Sequence, residues 1–424
     1  NASYSYLDKY ILTGALRYDG SDIIGNDNQF TPLWNVGLRW NLHREEFMKR
    51  WMWVDQFAVR GGFGYTGSID KNALPFVVMT LGQSVIYDGQ TVPTSFSYPN
   101  PNVKWQTKQD MNVGLDLSLF DYRLELGVNY YNNITRDVLD RKALPYSSGR
   151  SEVTENVADI YNSGWEIDLG VTLLKNKSFQ WYAKANIAIN DNKVKNTYYK
   201  DTKDLPKATL SNAHQFVENQ PVNGWYGYKF AGINPINGAV MTYTGNGEAT
   251  LDMSVSGATW PIPSVFYLGN LTPPVVGGFS TSANWKQLIF SANFEFKTGH
   301  KIKSFNTFRS LDARNRHTSE ANRWREPGDI TNVPAMSEAF TTYSSYMYDI
   351  LLEKGNYLRC SYMTLGYNLK PEWLHKIGFS TARLSFTAKD LFTVSSYSGI
   401  DPALMGSFGY PNSRKYTITL NVGF

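Results

Sequence analysis

The sequence predicts an all-β protein, a transmembrane antiparallel β-barrel wall with long extracellular loops, and three observations carry that prediction. Polar and apolar residues alternate with a period of two over segments of about ten residues, long for globular strands and right for strands that cross a bilayer. Connections between these segments are alternately tight and long, the pattern of short periplasmic turns and longer external loops. The chain closes on Tyr416, Ile418, Leu420, Val422 and Phe424, an unbroken alternating stripe that finishes on an aromatic residue.

Taken in order, the alternation places roughly twelve strands, at about 2–18, 30–42, 55–66, 105–119, 122–136, 157–174, 178–194, 275–286, 288–299, 353–369, 378–394 and 414–424. Met111, Val113, Leu115, Leu117 and Leu119 share one face, with Asn112, Gly114, Asp116 and Ser118 on the other. Trp165, Ile167, Leu169 and Val171 alternate with Glu166, Asp168 and Gly170; Leu288, Phe290, Ala292, Phe294 and Phe296 alternate with Ser291, Asn293 and Glu295. Tight turns fall near Phe120-Asp121, Lys175-Asn176-Lys177, Lys286-Gln287 and Lys370–Lys376. Long segments fall at Gly67–Lys104, Arg136–Asn156, Lys195–Pro274, Gly299–Leu352 and Ser395–Ser413, the longest external loops spanning about 195–274 and 299–352. A soluble sandwich would show turn signals every 8–12 residues instead. The whole of 1–424 reads as one domain, because a barrel absorbs a long chain as a single unit.

Composition removes several function classes. Lys+Arg 41 against Asp+Glu 37 leaves +4 with mixed signs, which argues against nucleic acid as a partner. No apolar run approaches the roughly eighteen residues of a spanning helix; Phe76–Met79 is typical of the longest. The single Cys360 cannot form an internal disulfide, and the five histidines lack zinc spacing, so neither metal nor cofactor is expected. No catalytic constellation emerges: Glu45-Glu46 reads as a turn charge pair and Glu166/Asp168 as lumen polarity, so no enzyme is expected. The start at Asn1, without initiator Met or signal peptide, reads as a mature or truncated fragment.

The aromatic loops are the candidate ligand contacts. Trp225, Tyr226 and Tyr228 lie early in the longest loop and Trp260 later in it. Arg323, Trp324 and Arg325 cluster in the next, followed by Tyr343, Tyr346 and Tyr348. A ring offers an apolar face to a sugar or peptide, and Arg a bidentate fork to carboxylates or polar edges. The competing reading is loop packing, or the aromatic belt at a membrane interface.

A series of short motifs, in order along the chain, resembles the SusC/RagA-like TonB-dependent transporters of the Gram-negative outer membrane. They are Arg17-Tyr18-Asp19-Gly20-Ser21, Arg60–Gly67, Asn100–Thr107, Asn162-Ser163-Gly164-Trp165-Glu166, Asn190-Asp191-Asn192-Lys193-Val194, Asp390-Leu391-Phe392-Thr393 and Gly399-Ile400-Asp401-Pro402. Asp390 departs from the usual Asn. The resemblance implies a bacterial outer-membrane protein whose chain here supplies roughly the last twelve strands of a 22-stranded barrel, with the plug domain absent from this chain. It implies active import of a large nutrient, oligosaccharide or oligopeptide, powered through TonB. The implied partners are a SusD-like surface lipoprotein lid, TonB-ExbB-ExbD through a region not in this chain, the N-terminal plug and first barrel half, and outer-membrane lipid. It also implies that Tyr416, Ile418, Leu420, Val422 and Phe424 form the assembly signal. A passive porin, or an adhesion or structural barrel, is the alternative; loops far longer than anchoring requires favour import.

Overall fold

The computed structural model describes residues 1–24, 28–69, 77, 79–87, 90–96, 103–144, 147, 152–202, 216–251, 265–304, 321–335, 348–374, 378–405 and 409–424. Thirteen strands form one antiparallel sheet. They are β1 (Ala2–Tyr6), β2 (Tyr10–Gly20), β3 (Phe30–Asn41), β4 (Val54–Ser68), β5 (Gln106–Leu119), β6 (Leu124–Ala143), β7 (Glu152–Lys175), β8 (Phe179–Lys195), β9 (Val275–Trp285), β10 (Leu288–Thr298), β11 (Tyr357–Asn368), β12 (Thr381–Ser395) and β13 (Lys415–Gly423). Order along the sheet is order along the chain, with β1 and β13 at its edges.

Two expectations are corrected. The first predicted strand, 2–18, is a hairpin: Leu7 and Asp8 take φ of 51° and 52°. Lys9 N–H donates to the Tyr6 carbonyl at 2.9 Å, so β1 folds back on β2. Two successive left-handed residues suit the twist of a hairpin, but Leu-Asp lacks the Asn-Gly or Asp-Gly signature that marks such turns in a sequence. The second correction concerns Arg136–Asn156, read as a loop: β6 and β7 stay paired as far as Ala143↔Glu152. The ladder survives because a bulge near Asp137 (φ 57°) absorbs the mismatch.

The tight turns have local causes. Asn176 Oδ1 accepts from the Ser178 and Phe179 amides at 2.9 and 2.7 Å, an Asx turn that closes β7 onto β8. Between β9 and β10, Lys286 at φ 52° permits the short reversal that pairs Trp285 with Leu288.

The sheet has an apolar and a polar face. In register, Val113, Tyr130, Trp165 and Ile189 form one row on the apolar face, and Tyr130 packs on Trp165 with ring centroids 4.9 Å apart. Large residues on this face stay exposed from edge to edge, among them Leu16 (75%), Val36 (47%), Leu384 (47%) and Ile418 (75%). Apolar exposure on this scale suits a face solvated by lipid.

The external connections carry structure of their own. Met79–Tyr87 pairs with Gln90–Phe96, and Gly224–Gly227 with Phe266–Asn270. Phe230–Ile233, Val240–Tyr243 and Ala249–Leu251 make a small three-stranded sheet, and Lys301–Lys303 pairs with Leu352–Lys354.

Candidate functional site

A folded cluster caps the long-loop side of the wall. Val217, Tyr226, Tyr228, Ile233, Val240, Val265, Leu268, Tyr348, Leu351 and Leu352 form one buried core, with Trp225, Tyr267 and Trp324 packed against it. Each buried aromatic or aliphatic side chain contributes on the order of 2 kcal/mol to keeping this cluster folded. Burial raises the Tyr226 phenol above its ordinary range and pushes Tyr267 up to about 12. Trp225 Nε1 donates to the Lys301 carbonyl at 2.8 Å, and Trp324 Nε1 to the Pro235 carbonyl at 3.1 Å. Gly238 sits at φ 70°, with a built Cβ only 2.5 Å from the Trp324 ring; both the backbone and the contact call for glycine there.

Below this cluster the polar face of β5–β8 presents three cross-strand rows. The outermost is Lys108, Thr135, Ile160 and Val194; the next is Asp110, Asn133, Asn162 and Asn192; the third is Asn112, Tyr131, Gly164 and Asn190. Several of these side chains line an open recess of about 550 Å³, to which the loop contributes Asn219, Val222, Asn223, Asn270 and Pro274. The motif residues have legible work here. A side chain at Gly164 would collide with the Ile189 carbonyl and reach within 2.6 Å of the Tyr131 hydroxyl. Its absence lets Tyr131 Oη lie across β7 and donate to Asn190 Oδ1 at 2.6 Å. Asn192 Oδ1 accepts from the Val222 amide at 2.8 Å, and the backbone N–H of Asn190 donates to the Pro274 carbonyl at 2.8 Å, so an interior stretch and the far end of the longest loop are both tied to β8.

The last loop is pinned as well. Arg359 on β11 donates from Nη2 to Asp401 Oδ1 at 2.5 Å and from Nε to Thr393 Oγ1 at 3.1 Å. Asp401 caps the turn Pro402–Leu404 by accepting from the Ala403 amide at 2.9 Å. In the same region Glu353 Oε1 accepts from Ser398 Oγ at 2.6 Å and from the Ser304 hydroxyl, while Oε2 accepts from the Ser398 amide at 2.7 Å.

This polar wall with an apolar outer face, edged by β13 and topped by folded loops, has relatives. Residues 1–295 match the family described as TonB dependent receptor-like, beta-barrel. The chain belongs to the TonB-dependent receptor family. Among curated TonB-dependent receptors it is similar to receptor P3 of Formosa agariphila, 28% identical over 100% of this chain and 45% of that protein. SusC of Bacteroides thetaiotaomicron is 23% identical over 100% of this chain and 43% of the relative. The chain thus spans less than half the length of the curated relatives it matches. A solved structure of the RagAB peptide transporter superposes with a TM-score of 0.80 at 25% identity, covering 100% of this chain and 46% of that one. The thirteen-stranded sheet is therefore part of an outer-membrane TonB-dependent receptor barrel, its polar face the lumen side and its apolar face the lipid side. Proteins of this family are receptors and transporters rather than enzymes.

The receptor places the sequence-predicted contacts unevenly. Trp225, Tyr226, Tyr228 and Trp324 do come together, but Tyr226 and Tyr228 are 2% and 3% exposed. The expectation that they present rings to a ligand gives way to a packing role, and Tyr348, fully buried, joins them. Trp225, Arg323 and Trp324 are half-buried and Arg325 is exposed, its backbone amide held by Asp329 Oδ2 at 2.9 Å. Trp260, Tyr343 and Tyr346 lie outside the described residues. Tyr416, Ile418, Leu420 and Phe424 are exposed at the β13 edge; Val422 is half-buried, paired with Ala382. The asparagine rows were not singled out as a site from sequence, although two of the quoted motifs contain Asn162, Asn190 and Asn192.

Proposed function

We propose that this chain supplies lumen wall and external vestibule to an active importer of a large outer-membrane nutrient, an oligopeptide or oligosaccharide, powered through TonB. The observation that carries the reading is the asparagine-rich cavity of about 550 Å³ in the wall beneath a folded loop cluster tied to that wall. A passive pore needs no such built recess, whereas a receptor that must hold its cargo before transport does. Half-buried Trp225, Arg323 and Trp324, with exposed Arg325, form the rim over which cargo passes. A SusD-like surface lipoprotein closes the mouth from outside. Contact with TonB-ExbB-ExbD, the plug and the first barrel half belong to segments outside this chain. The stripe from Tyr416 to Phe424 acts as the assembly signal at the sheet edge.

The test is uptake of labelled oligopeptides and oligosaccharides by cells producing the full-length polypeptide, with and without a functional TonB. Import reads as accumulation of one cargo class that vanishes without TonB. Equal accumulation in both strains replaces the importer with a passive porin.

A further inference from the structure

The short turns that close the wall on the periplasmic side, away from the folded loops, differ in charge from one arc to the next. Under β1–β4 the cations are matched: Lys9 pairs with Glu45 at 3.0 Å, Arg44 with Asp8 at 3.1 Å and Lys49 with Glu46 at 2.7 Å, leaving Arg50. The β5–β6 turn carries one residue of each sign, Asp121 and Arg123. Under β7–β12 the balance is lost. In the turns 175–178, 286–287 and 369–374, Lys175, Lys177, Lys286 and Lys370 are exposed and Glu372 is the one carboxylate. Among the described residues none of these four lysines has a carboxylate at ion-pair distance.

These turns form one continuous rim. The Lys286 backbone N–H donates to the Ser178 carbonyl at 2.8 Å, and the Asn368 backbone N–H to the Gln287 carbonyl at 2.9 Å. At about 4.8 Å per strand, successive hairpins set their lysines about 10 Å apart. Beside the rim, on the lipid face, cross-strand register lines up Phe179, Trp285, Leu288, Tyr367, Leu384 and Leu420. The Lys286 ammonium lies 6.0 Å from the centroid of the Trp285 ring in that row, and the Lys370 ammonium 5.9 Å from that of Trp373. Both rings are more than half exposed. An exposed indole at the end of a lipid-facing row sits at the headgroup level of a bilayer, so the ammonium beside it meets lipid phosphate. A zwitterionic headgroup brings its own cation and gains little from the unmatched lysines. A headgroup with net negative charge is their complement.

We propose that the rim under β7–β12 is a binding surface for net-anionic phospholipids of the periplasmic leaflet, with Lys177, Lys286 and Lys370 meeting the phosphates while Trp285 and Trp373 lie at headgroup level. Each lysine near such headgroups strengthens association about fivefold. The surface is independent of what the receptor carries.

The test places the full-length protein in detergent with an equimolar mixture of phosphatidylglycerol and phosphatidylcholine of the same acyl chains, and counts the lipids it retains by native mass spectrometry. Lys286→Gln with Lys370→Gln removes two rim charges and keeps the length of both side chains. Lys389→Gln with Lys415→Gln removes two exposed charges from the opposite end of β12 and β13 and is the control. Heat-dependent gel mobility establishes that each variant is a folded barrel. The expected result is a wild-type preference for phosphatidylglycerol that falls about tenfold or more in the rim variant, persists in the control, and weakens as salt rises. An unaltered preference in the rim variant, or an equal loss in the control, overturns the surface. Equal retention of the two lipids by the wild type overturns it too, and leaves the lysines to an acidic periplasmic protein. Should the rim variant not fold, salt decides: a wild-type preference that high salt leaves intact overturns the surface.

Discussion

Replacing Asp401 with alanine removes the carboxylate that holds the last external loop to β11. Asp401 and Arg359 are 8% and 4% exposed, and their 2.5 Å contact is joined by the Ala403 amide on the same carboxylate oxygen. Truncation leaves the guanidinium buried with Thr393 Oγ1 as a neutral acceptor and Glu295 at 3.9 Å. Breaking a buried pair by deleting one partner costs about 3–5 kcal/mol. The Glu295 side chain is 45% exposed and free to shift, which argues for the lower end, about 3 kcal/mol. At about 1.4 kcal/mol per decade, the open population of the loop rises by roughly a hundredfold. Hydrogen exchange followed by mass spectrometry on the full-length protein reads this directly. Amides in 396–405 should exchange about a hundredfold faster, while those in the middle of β11 and β12 stay as they were. The double exchange Arg359→Met with Asp401→Leu should recover most of the protection, because it leaves no charge behind. Unchanged exchange in the single variant, or no recovery in the double, would refute the reasoning.

Four further outcomes follow from other parts of the molecule. Gly164→Ala drives a methyl into the Ile189 carbonyl and the Tyr131 hydroxyl, and should cost about 1–3 kcal/mol of wall stability, read as a lower temperature for the gel-mobility shift of the folded barrel. Tyr226→Phe should leave stability unchanged or raise it by up to about 1 kcal/mol, since the Tyr226 hydroxyl is buried with no hydrogen-bond partner among the described residues; a clear drop in melting temperature would contradict this. Glu45, bonded by Tyr10, Lys9 and Trp40, is held at about 2; its folded value lies below its ordinary 4.5, so its contribution is full above that pH and fades as pH falls toward 2. Exchange of the 42–53 connection should therefore quicken over that interval, and Glu45→Gln should flatten the response. Ile418→Arg places a charge on the lipid face at a cost of about 2–4 kcal/mol near mid-bilayer, so folded protein in the outer membrane should fall, whereas Thr419→Arg on the opposite face should be tolerated.

The wall was legible in the sequence because every strand faces two solvents, and a period of two is what that demands. Only the hairpin at Leu7-Asp8 and the continuation of β6 into β7 escaped, one for want of a turn signature and the other because Asp140-Arg141-Lys142 is as polar as a loop. The aromatic segment Trp225–Tyr228 was visible, but its role was not: residue type alone does not separate a ring offered to a ligand from a ring at the centre of a small core. Position against Val265, Leu268 and Tyr348 decides that, and those partners come from distant stretches of chain. The asparagine cavity was hidden for a related reason. Asn133, Asn162 and Asn192 lie far apart in sequence and meet only through cross-strand register. Gly164 stands in one of the quoted motifs, but the Tyr131 ring that occupies the space it leaves comes from the neighbouring strand and is not written in that motif.

The length of the β6–β7 hairpin gives the outer surface a skyline. At about 3.4 Å per residue the 24 residues of β7 run to roughly 80 Å, whereas a tilted strand crosses the roughly 30 Å hydrocarbon layer with about 9–11 residues. More than half of β7 thus stands clear of the lipid, and because it is laddered to β6 it stands as a stiff fence. The ladder holds out to Ala143↔Glu152, so the backbone of both strands keeps its hydrogen-bond partners well beyond the lipid.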